Sequence, residues 1–273
     1  MFSNALRPPA LLLRSPRVVS GARRVAPLSP RAVATRPTED PSKEKQERMA
    51  SDWNRASGEG LCTVREVISF WFDERACFED GAAHLLWDAS WMNGKARTQW
   101  YAGTSADASC AKFAATIEAT ARGDLNAHED WLKWPHGPMA KIILWDQIAR
   151  NCFRGTAKAF EFDDKALELA RTMARDDDLV EKLPPAYVHF VCSPFTHSER
   201  IEDHDLGFHV YEGLAKRCPE VAGFAEGAMK SHRDVIARFG RYPHRNAKQG
   251  RESTAEELAW LASDEVPGWA KSQ

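Results

Sequence analysis

The side chains best suited to chemistry in this chain are arginines, histidines and acids, and they gather in short polar segments. The first segment runs from residue 146 to residue 155 and follows an apolar stretch. Arginine presents a planar fork of N–H donors that matches carboxylate and phosphate groups, so the segment is typical of an anion site. It supplies five candidate ligand-binding residues: Asp146, Gln147, Arg150, Asn151 and Arg154.

A second polar segment, residues 236–251, surrounds the end of a predicted helix, and His232 lies on that helix just before it. Gly240 is a natural left-handed helix stop and Pro243 prevents the helix from continuing, so a tight turn is expected there. Turns bring several side chains to one point and often carry sites. We predict that the first two segments line one polar pocket. The second segment and the helix before it add the ligand-binding candidates His232, Arg238, Arg241, Arg245 and Asn246, and His244 as a candidate for proton transfer.

Between these segments, residues 195–205 hold further candidates for acid–base chemistry. His197 is suited to proton transfer, and Glu199 is suited to orienting or assisting it. The spacing of histidines and acids matches neither His-Glu-x-x-His nor an EF-hand, so no metal site is predicted. In the purely structural interpretation, Ser198 caps the next helix and the neighbouring acids offset its dipole.

The helix that carries the first segment is nearly apolar all the way round from Ile142 to Ala149, which indicates a buried central helix. Asp146 and Arg150 are four residues apart and therefore neighbours on its surface. With Arg154, two arginines face one local carboxylate, which leaves a positive charge unmatched. Either a distant acid in the core or an anionic ligand could meet it, because buried charge is costly unless paired.

The elements that must position these residues are all predicted to be helices. Thr63 and Glu66 form a capping box that begins the first helix, and sustained two-residue alternation is absent. The fold class is therefore all-α, an irregular array of antiparallel helices joined by short connections, with most of the ten tryptophans in the core. The later predicted helices span residues 105–121, 139–153, 157–174, 186–195, 204–217, 221–239 and 254–261.

Charge divides the chain into three regions. Residues 1–38 hold seven arginines and no acid, the composition of an organelle transit peptide, and without them the net charge changes from −2 to −9. The arginine preference predicts a mitochondrial location, with a plastid as the alternative. Residues 39–62 are predicted to be a polar linker and residues 63–273 a single all-α domain. The acidic body argues against a nucleic-acid partner, and no apolar run is long enough to span a membrane.

Several other kinds of site are not indicated. The six cysteines have no regular spacing, which favours free thiols over disulfides or a zinc site. The glycines of residues 81–123 stand singly, so no Rossmann or P-loop nucleotide site is predicted. The sequence therefore indicates no particular cofactor.

Taken in order, the motifs resemble one known family. They are Phe70-Trp71-Phe72, then Asp146-Gln147 with Arg150-Asn151 and Arg154-Gly155, then His197-Ser198-Glu199, and last residues 238–246 with 250–254. This succession resembles the domain-of-unknown-function family 924 over roughly residues 64 to 262. The resemblance implies a tetratricopeptide-like all-α fold, mostly found in bacterial proteins, without an established activity. The presequence and the tryptophan-rich segment 80–101 depart from the family pattern.

Two functions follow as hypotheses. The first is a helical protein of an organelle whose buried Arg/His/Asp pocket binds a small anionic molecule, with catalysis as a further step. The second is a tetratricopeptide-like scaffold that binds a protein partner without catalysis, and it predicts an exposed apolar groove.

Overall fold

The computed structural model describes Trp53 and residues 57–101, 103–221 and 223–271, all within one compact unit, Arg36–Gln273. The described residues form helices and no β-strand, so the predicted all-α class is confirmed. The tetratricopeptide-like superhelix stays a prediction. The predicted transit peptide, residues 1–38, and most of the predicted linker lie outside the described residues. Within these ranges, no helix is both long and apolar enough to cross a membrane.

The predicted capping box begins helix α1 (Val64–Phe72). Thr63 Oγ1 accepts from the Glu66 backbone N–H at 3.1 Å, and Glu66 Oε2 accepts from the Thr63 N–H at 2.7 Å. Four further α-helices lie in the described part of the N-terminal half, where two of them, α4 and α5, replace the one helix predicted over residues 105–121. They are α2 (Glu74–Phe78), α3 (Ala89–Lys95), α4 (Asp107–Cys110) and α5 (Ala114–Arg122).

The predicted central helix is present and buried. It consists of α6 (His136–Ile142), a π-helical turn (Ile143–Ile148) and α7 (Ala149–Cys152). Ile142 and Leu144 have no exposed surface, as an all-round apolar pattern requires. Asp146 is equally buried, so its charge must be compensated inside the protein.

The C-terminal half contains the longer helices. They are α8 (Asp163–Ala174), α9 (Asp177–Glu181), α10 (Pro185–His197), α11 (Ile201–Arg217), α12 (Gly223–Phe239), α13 (Ala255–Leu261) and α14 (Gly268–Lys271). The prediction over residues 157–174 merged a 3₁₀ turn, Ala157–Phe160, with α8. The predictions did not include α2, α3, α9 and α14, because each is too short to show a helical period.

Among the described residues, two apolar clusters form the core. The larger cluster includes α1, α6, α8 and α10, and the smaller one joins the end of α12 to α13 and α14. Tyr242 lies in the smaller cluster, and its hydroxyl donates to the Thr196 carbonyl of α10. This contact fixes the second polar segment against the helix that carries His197.

Two predictions about burial are corrected. Trp53 and Ser57 are buried within the predicted linker, and Ser57 Oγ accepts from Trp131 Nε1 at 3.0 Å. The packed part of the chain therefore reaches back at least to Trp53, ahead of residue 63. Trp87, predicted to be core, is 40% exposed, and the guanidinium of Arg217 lies over its ring.

Candidate functional site

A cavity of about 460 Å³ lies among α7, α10, α12 and α14. Helix α10 presents one face to it through residues spaced three and four apart, the spacing of a helix surface. The polar part of the wall consists of Gln147, Arg150, Asn151, Arg154, His189, Ser193, Thr196, His197 and His232. The less polar part consists of Trp100, Tyr101, Gly103, Cys192, Ala225, Ala228, Met229, Gly268 and Trp269.

The strongest chemical feature of the wall is a histidine–aspartate pair. His197 Nδ1 lies 2.6 Å from Asp146 Oδ1, and Asp146 is fully buried. Because a carboxylate only accepts hydrogen bonds, Nδ1 must carry the proton, and Nε2 is the nitrogen left for a ligand. Burial and the nearby Arg150 lower the pKa of His197 below its usual 6.5, against the opposing effect of Asp146. The ring is therefore neutral at neutral pH.

Asp146 itself stays ionised. Burial alone would raise its pKa, but His197 and Arg150 lower it below the usual value. Gln147 donates from Nε2 to Asp146 Oδ2 at 2.6 Å and to Ser193 Oγ at 2.7 Å. These bonds fix the orientation of the Gln147 amide, so that Oε1 is its remaining polar atom.

Arg150 and Arg245 meet at one carboxylate, Asp163. Arg150 Nη2 lies 3.0 Å from Asp163 Oδ2, and Arg245 Nη1 donates to the same oxygen at 3.2 Å. Arg150 also lies 3.7 Å from Asp146. The first and second polar segments are thus joined through Asp163, although Arg245 does not line the cavity.

Arg154 is held by a second distant acid. Its Nε donates to Asp107 Oδ2 at 2.9 Å, and its Nη2 donates to Asp107 Oδ1 at 3.0 Å and to Asn151 Oδ1 at 2.6 Å. The unmatched positive charge could be met by a distant acid or by an anionic ligand. Distant acids are present for both arginines, Asp163 for Arg150 and Asp107 for Arg154. Neither acid was predicted, since their separation in sequence gives no local signal.

His232 faces the same cavity from α12. Its Nδ1 lies 2.7 Å from the Ala228 carbonyl, and its ring stacks on Trp269 at 3.7 Å between centroids with planes 14° apart. The His232 and His197 rings are 6.0 Å apart. Burial lowers the pKa of His232 to about 3. This imidazole is also neutral, with its proton on Nδ1.

His189 closes the wall near Tyr101. Tyr101 Oη lies 2.5 Å from His189 Nε2, although the Tyr101 residue as a whole is 57% exposed. Burial lowers the pKa of His189 to about 4, so its ring is neutral. The sequence did not predict His189 or Ser193. The available signal was that His189, Ser193 and His197 follow one another at intervals of four residues, which puts them on one face of α10.

Several predicted site residues lie away from the cavity. Arg238 pairs with Glu256 and Glu265, and Arg241 pairs with Glu257 at 2.6 Å, because α13 and the segment that follows it bring these acids to the end of α12. Asn246 Nδ2 donates to Ser253 Oγ at 3.1 Å, inside the turn. The prediction that Arg238, Arg241 and Asn246 line the pocket is therefore wrong.

The other two candidates for catalysis also lie outside the wall. Glu199 is bound by both Nη groups of Arg251 and accepts from the Tyr242 N–H at 2.8 Å. His244 packs against Trp269 at 5.4 Å, and burial lowers its pKa to about 2. Ser198 donates to Asp203 Oδ2 at 2.6 Å and accepts from the Arg200 N–H. The described residues include no group of three or more His, Cys, Asp or Glu side chains placed to hold a metal ion.

Comparison with known proteins gives a family and a structural relative. The model of a family described as bacterial protein of unknown function (DUF924) matches residues 67–265. The chain is also similar to a solved structure of a protein of unknown function from Agrobacterium tumefaciens. The two are 28% identical with a TM-score of 0.50, over 73% of this chain and 96% of that one. No curated protein matches the chain.

Proposed function

The chain belongs to the DUF924 family, as its motifs indicated, and from its cavity we propose that it is an enzyme that binds a small molecule and moves a proton on it through His197. The observation that carries this proposal is the contact of 2.6 Å between His197 Nδ1 and the buried Asp146. A carboxylate on one imidazole nitrogen fixes the tautomer and directs the other nitrogen to the ligand.

Both steps of such a transfer fit the surroundings of His197. The neutral ring can accept a proton on Nε2, and the ionised Asp146 stabilises the imidazolium that results. The same proton can then return to a different atom of the bound molecule. Because Asp146 is buried and bound by Gln147 as well, it holds the ring in one orientation throughout.

The cavity has the size and character of a small-molecule site. Its volume of about 460 Å³ falls within the roughly 300–1,000 Å³ common for ligand pockets. Trp100, Met229 and Trp269 supply apolar surface, and the polar groups converge near His197. We therefore place the reacting part of the ligand against α10.

An anionic ligand is a second candidate, because Arg150 and Arg154 line the wall. Asp163 and Asp107 offset much of their charge, which weakens the attraction for an anion.

The scaffold hypothesis predicted an exposed apolar groove. Among the described residues, the large apolar side chains with high exposure are Trp87, Tyr101, Leu132 and Leu258, and Tyr101 lines the cavity.

A small-molecule screen by thermal shift, followed by NMR detection of turnover, tests the proposal. Ala228→Trp is the blocking variant, since Ala228 is an exposed position on the cavity wall. His197→Gln keeps a polar side chain but cannot take up the proton. We expect compounds that stabilise the wild type to lose their effect in Ala228→Trp. Turnover in His197→Gln should fall by about 100-fold or more, the usual contribution of a general base.

The matched control is His209→Gln, because His209 lines a separate surface groove beside α11. It should bind and turn over like the wild type. The proposal would be contradicted if the compounds stabilised Ala228→Trp as much as the wild type, or if His197→Gln turned the substrate over at the wild-type rate.

The location of the protein is also a proposal. Residues 1–38 are predicted to direct it to the mitochondrion, because they are arginine-rich and contain no acid. Fusing these residues to a fluorescent protein and imaging the cells tests this. Delivery to a plastid would support the alternative, and a diffuse signal would refute both.

A further inference from the structure

We infer that the ligand of this cavity is an uncharged small molecule that carries at least two hydroxyl groups. The inference rests on the proposed function, because it assigns the ligand of the same site. It comes from sorting the polar atoms of the wall into donors and acceptors, and asking which already have partners.

On the described part of the wall, three acceptor atoms remain for a ligand. In His197 and His232, Nδ1 is bound to Asp146 and to the Ala228 carbonyl respectively, so Nε2 carries the lone pair. In Gln147 the amide nitrogen is bound, so the remaining atom is Oε1. Among the described residues, the hydrogen bonds of these three side chains run through their other polar atoms, Nδ1 of each histidine and the amide nitrogen of Gln147.

The donors of the wall, in contrast, are largely engaged. The guanidinium groups of Arg150 and Arg154 bind Asp163 and Asp107. The indole N–H of Trp100 donates to the Trp71 carbonyl at 2.9 Å, and that of Trp269 donates to Ser231 Oγ at 3.0 Å. A ligand therefore meets mainly acceptors at the polar end of the cavity.

Hydroxyl groups suit this arrangement better than carboxylate or phosphate. A carboxylate group or a fully ionised phosphate group has no proton to donate to two neutral imidazoles and an amide oxygen, and it would have to compete with buried ion pairs for the arginines. A hydroxyl donates to each acceptor, and one placed on His197 Nε2 is the group from which that residue would take a proton. The C–H surface of such a molecule can pack on Trp100 and on the stacked rings of Trp269 and His232.

The first test needs no ligand. Nitrogen-15 chemical shifts of the histidine rings report which nitrogen is protonated. We expect His197 and His232 to be neutral at pH 7 with the proton on Nδ1. A proton on Nε2 of either ring at this pH would overturn the inference, because that atom would then be a donor.

The second test compares ligands that share a skeleton and differ in charge, by calorimetry. Suitable sets are glucose with gluconate and glucose 6-phosphate, and myo-inositol with its monophosphate. In at least one set we expect the neutral compound to bind about tenfold or more tightly than its anions. His232→Phe keeps a ring to stack on Trp269 but removes the acceptor, and should weaken neutral binding about fivefold, the effect of one hydrogen bond.

The matched control is His84→Phe. His84 also places Nδ1 on a backbone carbonyl, that of Gly81 at 2.9 Å, but it is exposed and outside the cavity, so affinity should not change. An anion that binds as tightly as its neutral counterpart, or a neutral set that does not bind at all, would overturn the inference. If the bound anion still depends on His197 and on an open Ala228 position, the proposed function survives that failure. Binding that depends on neither would instead count against the proposed function.

Discussion

Asp163 connects, at the scale of single residues, the two polar segments that the sequence places far apart. Arg150 and Arg245 both bind it, and all three side chains are buried or nearly so. Arg245 also lies over the rings of Phe160 and Tyr242, 4.7 and 4.4 Å from their centroids. Because a buried guanidinium is costly without these partners, this network holds the turn after α12 against α8.

Replacing Arg245 tests the strength of this network. We expect Arg245→Ala to lower the free energy of unfolding by about 3–5 kcal/mol, because it breaks a buried pair and removes packing. Arg238→Ala is the matched control, since Arg238 also pairs with acids and lies over a ring, that of Phe239, but at the surface. It should remain close to the wild type in urea unfolding. Equal losses in the two variants would contradict a special role for burial.

Helices α10 and α11 set the position of the site at the next scale. Helix α10 carries His189, Ser193 and His197 on the face toward the cavity. On another face α10 packs closely against α11, since a Cβ atom added at Gly207 of α11 would lie 2.8 Å from Phe195 Cβ of α10. Glycine at this position therefore lets the two helices approach, and the approach fixes where α10 places its histidines.

Two glycine substitutions on α11 separate packing from helix propensity. Gly207→Ala should lower the free energy of unfolding by about 1–3 kcal/mol, because the added methyl group overpacks the contact with Phe195. Gly213→Ala should instead raise it by up to about 1 kcal/mol, since nothing lies within 4 Å of the added atom and alanine favours helix. Urea unfolding of both variants measures this. A stabilised Gly207→Ala would show that the helices can separate without cost.

The molecule as a whole contains several histidines that are neutral when it is folded. Burial lowers the pKa of His136 to about 3 and that of His189 to about 4, and it lowers those of His232 and His244 as well. The unfolded chain, with histidine pKa values near 6.5, binds protons that the folded chain does not. Their contribution to stability is therefore complete above about pH 6.5 and is lost as the pH falls toward the folded values.

Stability should consequently decrease sharply in mild acid. We expect each such histidine to reduce the free energy of unfolding by about 1.4 kcal/mol per pH unit below pH 6. Urea unfolding at pH 7.5, 6.5, 5.5 and 4.5 measures the slope. His136→Phe removes one of these groups and should reduce the slope by one such increment. A free energy of unfolding that stays constant from pH 6.5 to 4.5 would contradict the prediction.

Much of the fold was predictable because its signals are local. The capping box at Thr63, the apolar helix around Ile142 and the stop at Gly240 each depend on residues within one or two turns. Short helices such as α14 (Gly268–Lys271) were missed, because a single turn has no period to detect. The linker was predicted to be polar from its composition. Composition could not show that the ring of Trp53 packs against that of His136, with 4.9 Å between centroids.

The sequence by itself determined the helical class, the family and the polar segments from which the candidate site is drawn. Only the tertiary structure decided which of those residues meet. In the folded chain Arg241 pairs with Glu257 and Arg245 pairs with Asp163. His197 contacts Asp146, and Trp269 stacks on His232. The physical reason is that an arginine or histidine carries the same chemistry in every setting. Its role follows from the acid, carbonyl or ring that packing places beside it, and those partners lie far away in the chain.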